Sequence, residues 1–173
     1  MKKNLVLTGM MGVGKTAIGK SLSDRLKMKF FDIDRLIVDK EKKTIVEIFE
    51  TKGEKYFREL EKKVSLKVLD NFQSVIALGG GSFEVSAIRK KVLKTSLSFW
   101  LDLKISSLLM RLENSKKRPL LNEKNLAITI NEIYQKRKSI YNHANYKVNC
   151  NDINKQFIVK KIIKIYETQR NKS

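Results

Sequence analysis

Short apolar runs alternate with longer amphipathic stretches along most of the chain. The apolar runs, which are typical of strands buried on both faces, are "NLVLTG", "KFFDID", "SVIAL", "SLSFWLDL" and "YKVNC". The stretches between them place apolar residues at helical spacing, as in "TAIGKSLSDRLK", "EVSAIRKKVLK" and "NKQFIVKKIIKIYETQ". Because strands that alternate with helices pair in parallel, the pattern predicts a three-layer α/β/α fold around a five-stranded parallel sheet.

The central part of the chain holds a long helical stretch and an irregular segment. Residues 44–72 have helical spacing that is broken near Gly53, and Thr44 with Glu47 can form a capping box at the start. Residues 115–125 are polar and show no regular period. Neither an internal repeat nor a linker divides the sequence, so we expect one domain.

The sequence is strongly basic, with a formal net charge of +19 from 37 Lys and Arg against 18 Asp and Glu. Such a charge can indicate phosphate contacts with nucleic acid. The basic residues are dispersed, however, and neither interleaved aromatics nor zinc-ligand spacing accompanies them, which favours an ordinary lysine-rich surface. That surface can still attract anionic substrates.

Cysteine content and the N-terminal sequence bear on the compartment. A single cysteine, Cys150, excludes an internal disulfide and fits a reducing environment. The apolar run after "MKK" is too short for a signal peptide or a membrane span. We therefore expect a cytoplasmic protein without a membrane partner.

One glycine-rich motif indicates nucleotide binding. The segment "GMMGVGKT" lies between a predicted strand and a predicted helix and matches GxxxxGK[ST] through Gly9, Gly14, Lys15 and Thr16. Backbone N–H groups of such a P-loop surround the β-phosphate, Lys15 can bridge the β- and γ-phosphates, and the Thr16 hydroxyl can bind Mg²⁺. A nucleoside triphosphate is the expected ligand. The chain is short for a helicase and lacks the NKxD-type motif of GTPases, so transfer to a small acceptor is favoured.

Two aspartates lie at the end of the second predicted strand. In "FDID", strand alternation places Asp32 and Asp34 on one face, near the edge where parallel sheets bind ligands. Asp32 could hold Mg²⁺ through water, and Asp34 could accept a hydrogen bond from a substrate hydroxyl. An exposed acidic turn or a helix N-cap explains the same pattern equally well.

Three consecutive glycines end the third predicted strand. The chain has only eight glycines, and three of them are Gly79, Gly80 and Gly81. A tight turn needs one or two, whereas three leave backbone N–H groups open to an approaching carboxylate or hydroxylated ring. We expect an acceptor pocket beside this glycine triplet.

In their order and spacing these motifs resemble the shikimate kinase family of P-loop proteins, which is similar to the nucleoside monophosphate kinases. The resemblance covers nearly the whole chain, through "GMMGVGKT", "DIDRLI", "TIVEIFETKGEKYFRELE", "LGGGS", "RPLL" and "RKSIY". It implies ATP-dependent phosphoryl transfer to the hydroxyl of shikimate, giving shikimate 3-phosphate and ADP for chorismate and aromatic amino acid biosynthesis. It also implies a single kinase domain over residues 1–173, with the P-loop at 9–16, a substrate-binding region near 34–61 and a mobile lid near 112–124.

The resemblance assigns several residues to the acceptor. It implies that shikimate is held by Asp34, Arg58, Gly79, Gly80, Gly81 and Arg137. Arg58 and Arg137 would bind its carboxylate, a task for which guanidinium groups are suited. Asp34 would act as the base or would only orient the hydroxyl. Without the resemblance, each arginine in so basic a chain would be interpreted as part of a solvated helix face.

The resemblance also implies an ATP site with one Mg²⁺ ion. The residues expected at ATP are Gly12, Val13, Gly14, Lys15, Thr16, Ala17, Arg111 and Arg118. Arg111 would lie near the adenine, and Arg118, in "RPLL", would close over the γ-phosphate. Thr16 and Asp32 would hold the Mg²⁺. The expected catalytic residues are Lys15, Asp34 and Arg118. Ala17 departs from the family, in which many members carry a second hydroxyl at this position.

Two alternative functions are a gluconate-type kinase and a non-catalytic nucleotide- or RNA-binding protein. A gluconate-type kinase would share the P-loop but not the combination of Arg58, the glycine triplet and Arg137, which favours a cyclic hydroxy acid. A non-catalytic nucleotide- or RNA-binding protein would explain the charge but would not need the lid residue Arg118. We expect ATP and shikimate as the partners of a monomer, with no specific nucleic-acid partner.

Overall fold

The computed structural model describes residues 3–112 and 126–170 of the chain. Its strands are β1 (Asn4–Thr8), β2 (Lys29–Asp32), β3 (Ser74–Ala77), β4 (Ser96–Asp102) and β5 (Tyr146–Asn149). Its helices are α1 (Lys15–Leu26), α2 (Ile33–Glu41), α3 (Ile45–Val68), α4 (Ser86–Thr95), α5 (Ile105–Leu112), α6 (Leu126–Tyr141) and α7 (Lys155–Arg170). A short 3₁₀ turn, Ser82–Glu84, lies between β3 and α4. All five predicted strands are present.

The strands form one parallel sheet in the order β2-β3-β1-β4-β5. In the central strand β1, Leu5 lies opposite Val75 on one side and Leu97 on the other. Successive side chains of a strand point to opposite faces, and Leu5, Val6 and Leu7 are all 0% exposed. Both faces of the sheet are therefore covered, and the three-layer α/β/α prediction is confirmed.

Parallel pairing brings the carboxyl ends of the strands to one edge of the sheet. At that edge β1 is followed by the P-loop, β2 ends at Asp32, and β3 is followed by the glycine triplet. Because β3 lies between β2 and β1, these three segments are neighbours although they are far apart in sequence. The sheet order thus places the candidate nucleotide and acceptor residues side by side.

The long helix α3 begins at a capping box and bends at a glycine. The Thr44 hydroxyl accepts a hydrogen bond from the backbone N–H of Glu47 at 3.2 Å, and the Glu47 carboxylate accepts one from the backbone N–H of Thr44 at 2.7 Å. Gly53 interrupts the helix with φ 78° and ψ 167°, a conformation that favours glycine. The predicted capping box and the predicted break near Gly53 are both confirmed.

The helices are amphipathic rather than uniformly apolar. In α3, which has 24 residues, Ile48, Phe57 and Leu60 are buried while Lys55 and Glu59 are exposed. Among residues 3–112 and 126–170, no helix combines the length and the hydrophobicity that crossing a bilayer requires.

The end of the second strand differs from the sequence-based expectation. β2 ends at Asp32, whose carboxylate accepts a hydrogen bond from the backbone N–H of Arg35 at 3.1 Å and so caps α2. Ile33 and Ile37, four residues apart, are the buried residues of that helix. Asp34 therefore lies in the first turn of α2, and the prediction that it shares a strand face with Asp32 is wrong. A helix does begin here, as the N-cap alternative expected, but its N-cap is Asp32 and not Asp34, the residue directly before "RLIVDK".

Candidate active site

The P-loop between β1 and α1 forms a cradle at the N-terminus of α1. Gly14 has φ 102° and stands at the N-cap of α1, so backbone N–H groups at the start of this helix are available to an anion. Gly9 has φ 135°, and a Cβ there would lie 2.5 Å from the carbonyl oxygen of Leu101. The Nζ of Lys15 donates hydrogen bonds to the carbonyls of Gly9 and Met10 at 2.8 and 2.9 Å. These two hydrogen bonds hold the ammonium group of Lys15 against the P-loop.

Two side chains with oxygen atoms that could bind a metal ion, Thr16 and Asp32, lie beside the cradle. The Thr16 hydroxyl donates a hydrogen bond to Oδ2 of Asp32 at 2.6 Å. A hydroxyl and a carboxylate are the hard oxygen donors that Mg²⁺ prefers. The described residues contain no cluster of three or more His, Cys, Asp or Glu side chains placed to bind a metal. This donor set fits an ion that takes its remaining ligands from phosphate and water, as Mg²⁺ at nucleotide sites does.

A cavity of about 230 Å³ connects the cradle to the second aspartate. Its lining residues come from the P-loop, from the start of α1 and α2 and from the end of β3: Gly12, Gly14, Lys15, Thr16, Ala17, Asp32, Asp34, Ala77 and Leu78. Asp32 and Asp34 thus share one cavity, although a helix start rather than a strand brings them together. Asp34 therefore shares a cavity with the P-loop residues Lys15 and Thr16.

Arg111 lies on the other side of the P-loop. Its Nη1 donates hydrogen bonds to the carbonyls of Gly12 and Val13 at 3.3 and 3.2 Å. A second cavity, of about 130 Å³, is lined by this arginine together with Val13, Gly14, Ala17, Ile18, Cys150, Ile153, Lys155 and Ile158. Burial raises the pKa of the Cys150 thiol to about 11, so this thiol stays protonated at neutral pH.

The glycine triplet is crowded on its side-chain faces. A Cβ on Gly79 would collide with the Glu61 carboxylate and would lie 2.8 Å from Oδ1 of Asp34. A Cβ on Gly81 would lie 2.6 Å from Nη1 of Arg58 and 3.1 Å from Nη2 of Arg137. Glycine is needed here because four charged side chains lie close to the backbone, and not because of the geometry of the turn.

Arg58, on α3, is held between two carboxylates. It pairs with Glu54 at 3.2 Å and with the buried Glu61 at 3.0 Å. Glu61 also accepts a hydrogen bond from the Ser82 hydroxyl at 2.8 Å. Burial lowers the pKa of Arg58, but its ion pairs with Glu61 and Glu54 outweigh this and raise it. The guanidinium is therefore charged and fixed in direction.

Glu61 and Asp34 lie close enough to influence each other. Burial raises the pKa of the Glu61 carboxyl, and the negative charge of Asp34 adds to this effect, while Arg58 and Ser82 oppose it. An anion that entered this region would meet two carboxylates as well as the arginines. The arrangement suits a ligand that carries both a carboxylate and hydroxyl donors.

Arg137, on α6, is fixed from a different element. Its Nε donates a hydrogen bond to Oε2 of Glu84 at 2.7 Å, and the arginine is buried. One turn later, the Tyr141 hydroxyl donates a hydrogen bond to the carbonyl of Gly80 at 2.5 Å. Burial raises the pKa of Tyr141, so the phenol stays protonated and remains a donor. Helix α6 is thus tied both to the triplet and to the turn that follows it.

Most of the predicted site residues meet at this edge of the sheet. The P-loop residues, Asp32, Asp34, Arg58, the triplet and Arg137 are brought together, and Arg111 lies against the P-loop. Arg118 and the part of the expected lid from 113 to 124 lie outside the described residues. Sequence reasoning assigned no role to Glu61, Glu84 or Tyr141. Glu61 and Tyr141 fall inside motifs that were identified, whereas Glu84 carries no signal in the sequence.

Comparison with known proteins gives one consistent family. The family model described as Shikimate kinase matches residues 11–167. The shikimate kinase of Sulfurihydrogenibium sp. is 39% identical over 161 residues, which cover 93% of this chain and 96% of the relative. That of Bartonella henselae is 38% identical over 160 residues, which cover 92% of this chain and 76% of the relative. The solved structure of shikimate kinase from Acinetobacter baumannii in complex with shikimate superposes with a TM-score of 0.93 at 29% identity, covering 98% of this chain and 95% of that one.

Proposed function

Since the chain belongs to the shikimate kinase family, we propose which of its residues bind the two substrates and transfer the phosphoryl group. The protein is an ATP-dependent kinase that phosphorylates the hydroxyl of shikimate, giving shikimate 3-phosphate and ADP. It is an enzyme of the shikimate pathway, which supplies chorismate for aromatic amino acids.

The acceptor binds where two guanidinium groups converge on the glycine triplet. Nη1 of Arg58 and Nη2 of Arg137 both lie within 3.1 Å of the position that a Cβ on Gly81 would take. Two fixed cations beside open backbone N–H groups form a site for a carboxylate, and guanidinium can bind it in bidentate fashion. This convergence is the observation that supports shikimate, a cyclic acid with several hydroxyls, over an acceptor without a carboxylate.

Asp34 acts on the hydroxyl that receives the phosphoryl group. It lies between the triplet, where its Oδ1 is 2.8 Å from the Cβ position of Gly79, and the cavity beside Lys15 and Thr16. From there its carboxylate accepts a hydrogen bond from the acceptor hydroxyl and takes up the proton as the bond to phosphorus forms. Glu61, which is engaged by Arg58 and Ser82, keeps the neighbouring guanidinium in place and takes no part in that step.

The P-loop and nearby cations hold ATP. Backbone N–H groups of Gly12, Val13, Gly14, Lys15, Thr16 and Ala17 bind the phosphates at the start of α1. Lys15 exchanges its carbonyl partners for the β- and γ-phosphate oxygens, and Arg111 lies along the adenine. Arg118 neutralises charge on the transferred group, so that Lys15 and Arg118 together stabilise the transition state.

Thr16 and Asp32 bind one Mg²⁺ ion together with ATP. Their oxygens lie 2.6 Å apart and fit the ion's preference for hydroxyl, carboxylate and phosphate ligands. When bound, the ion supplies charge neutralisation at the β- and γ-phosphate oxygens. Asp32 also caps α2, so the residue that binds the ion fixes the helix on which Asp34 lies.

We infer a single kinase domain over residues 1–173, with the P-loop at 9–16, a substrate-binding region near 34–61 and a lid near 112–124. The enzyme works as a monomer in the cytoplasm, and its partners are ATP and shikimate rather than nucleic acid. The positive charge of the surface attracts both anionic substrates.

The test is ADP release from Mg-ATP with shikimate, run beside gluconate, quinate and no acceptor. Shikimate-dependent release is expected from the wild-type enzyme, and Arg58→Ala is expected to raise KM for shikimate about 100-fold while KM for ATP stays constant. The matched control is Arg25→Ala, since Arg25 lies at the far end of α1. Release with gluconate alone, or an Arg58→Ala variant as active as the wild type, would refute the assignment.

A further inference from the structure

The 3₁₀ turn that follows the glycine triplet carries the anchors of both arginines. Ser82, at its start, donates a hydrogen bond to Glu61, and Glu61 pairs with Arg58. Glu84, at its end, accepts a hydrogen bond from Arg137. One short turn therefore fixes the relative positions of the two guanidinium groups, although these come from α3 and α6.

Among the described residues, Glu84 accepts a hydrogen bond from the Nε edge of Arg137, and the Tyr141 hydroxyl lies near the same guanidinium. Its Nε donates to Oε2 of Glu84 at 2.7 Å, and its side chain is 8% exposed. Nη1 is buried, and none of the described residues accepts a hydrogen bond from it. A buried charged donor without an acceptor is unfavourable, so this atom indicates an acceptor that a bound ligand supplies.

The donor without an acceptor faces the glycine triplet. Nη1 lies 3.7 Å from the Cβ position of Gly80, and Nη2 lies 3.1 Å from that of Gly81. A guanidinium is planar, so a hydrogen bond that fixes Nε also fixes the direction of the other two nitrogens. Because Glu84 occupies Nε, the edge formed by Nη1 and Nη2 is directed at the pocket.

We propose that Glu84 is a positioning residue that aims the Nη1–Nη2 edge of Arg137 at the carboxylate of shikimate. The inference rests on the proposed function, since it takes Arg137 as a carboxylate ligand. An arginine restrained before binding loses less rotamer freedom when the substrate arrives. If Glu84 acted only through its charge, its removal would have the opposite effect on the affinity for shikimate. Loss of the negative charge would then strengthen the binding of an anion.

The test measures the Kd for shikimate by calorimetry and the KM values for shikimate and ATP. Glu84→Ala is expected to raise the Kd and KM for shikimate roughly tenfold, with KM for ATP unchanged and kcat within about threefold of the wild type. Glu84→Gln is expected to raise them less, because its amide oxygen still accepts a hydrogen bond from Nε. Glu132→Ala, which removes an exposed glutamate from α6, is the matched control and should change neither constant.

A double-mutant cycle separates positioning from a general structural effect. In an Arg137→Lys background, Glu84→Ala is expected to cause no further loss, because the group through which Glu84 acts is already gone. Equal losses in both backgrounds, or tighter binding by Glu84→Ala, would overturn the proposal. If circular dichroism shows that Glu84→Ala does not fold, Glu84→Met, which also lacks an acceptor for Nε but keeps the side-chain length, takes its place in the same cycle. A wild-type enzyme that neither binds nor phosphorylates shikimate would instead refute the proposed function itself.

Discussion

Gly81 is the position at which an added methyl group should affect shikimate most directly. Its Cβ would lie 2.6 Å from Nη1 of Arg58 and 3.1 Å from Nη2 of Arg137. Its φ of −99° suits any residue, so Gly81→Ala should fold normally and displace the two guanidinium groups. We expect KM for shikimate to rise at least about tenfold in steady-state kinetics, while KM for ATP stays constant.

Gly53→Ala is the contrasting variant for that experiment. Gly53 has φ 78°, and no described atom lies within 4 Å of its Cβ position. Alanine there should lower the free energy of unfolding by about 1–3 kcal/mol through backbone strain, without touching the pocket. The interpretation of Gly81 fails if Gly81→Ala lowers stability as much as Gly53→Ala does, or leaves KM for shikimate unchanged.

Cys150 should be protected from alkylation in the folded enzyme. Burial, together with the negative charge of Asp102, raises its pKa from an ordinary value of 9.0 to about 11. Only the thiolate reacts, so labelling by iodoacetamide at pH 8 should be about 100-fold slower in the native protein than in urea, as followed by mass spectrometry. Because the folded state holds this proton more tightly, the thiol's contribution to stability is complete below pH 9.0 and is lost as the pH rises to about 11. Equal labelling rates would contradict this account.

At the residue scale, the sequence predicted the site only where a motif marks it. The P-loop and the glycine triplet were identified from composition and spacing, and Arg58 and Arg137 from a family resemblance. Glu84 could not be found in this way, since it is one of 18 acidic residues and its partner lies 53 positions away. Its role depends on a contact between a turn and a distant helix, and spacing along the chain does not record such a contact.

A variant of the capping box tests whether the part of α3 before Gly53 affects the part after it, which carries Arg58. Thr44→Ala removes the hydrogen bonds that the hydroxyl makes at the helix start and should lower the free energy of unfolding by about 1 kcal/mol in urea denaturation. The kink at Gly53 lies between this cap and Arg58, so KM for shikimate should stay within about twofold of the wild type. A large rise in KM would show that the two halves behave as one rigid helix.

At the scale of elements, the strands were predicted more reliably than their ends. Continuous apolar runs identify strands that are buried on both faces, and each of the five starts where the pattern places it. The error lies at "FDID", where Ile33 continues the apolar alternation of β2 and is also the first buried residue of α2. Ile33 fits both the two-residue period of a strand and the 3.6-residue period of a helix. The hydrogen bond that Asp32 accepts at the N-cap stabilises the helix.

At the scale of the whole molecule, the strand order is what joins the two substrate sites. The hydrophobic pattern predicts parallel strands but does not predict the order in which they lie side by side in the sheet. The order β2-β3-β1-β4-β5 places the triplet between Asp34 and the P-loop, so that the proposed acceptor and phosphate sites share one edge. The proposed site therefore requires an acceptor whose carboxylate reaches Arg58 and Arg137 while one of its hydroxyls reaches Asp34.

The most direct test of that requirement compares shikimate with its carboxamide, which keeps the ring and the hydroxyls but removes the charge. Against two fixed guanidinium groups, loss of the charge should cost about 3 kcal/mol, or roughly a 100-fold lower kcat/KM, with KM for ATP unchanged. In Arg58→Ala the difference between the two acceptors should shrink markedly. If the wild-type enzyme phosphorylates the carboxamide as efficiently as shikimate, the account is contradicted. Catalysis would then not depend on a carboxylate bound by the two arginines.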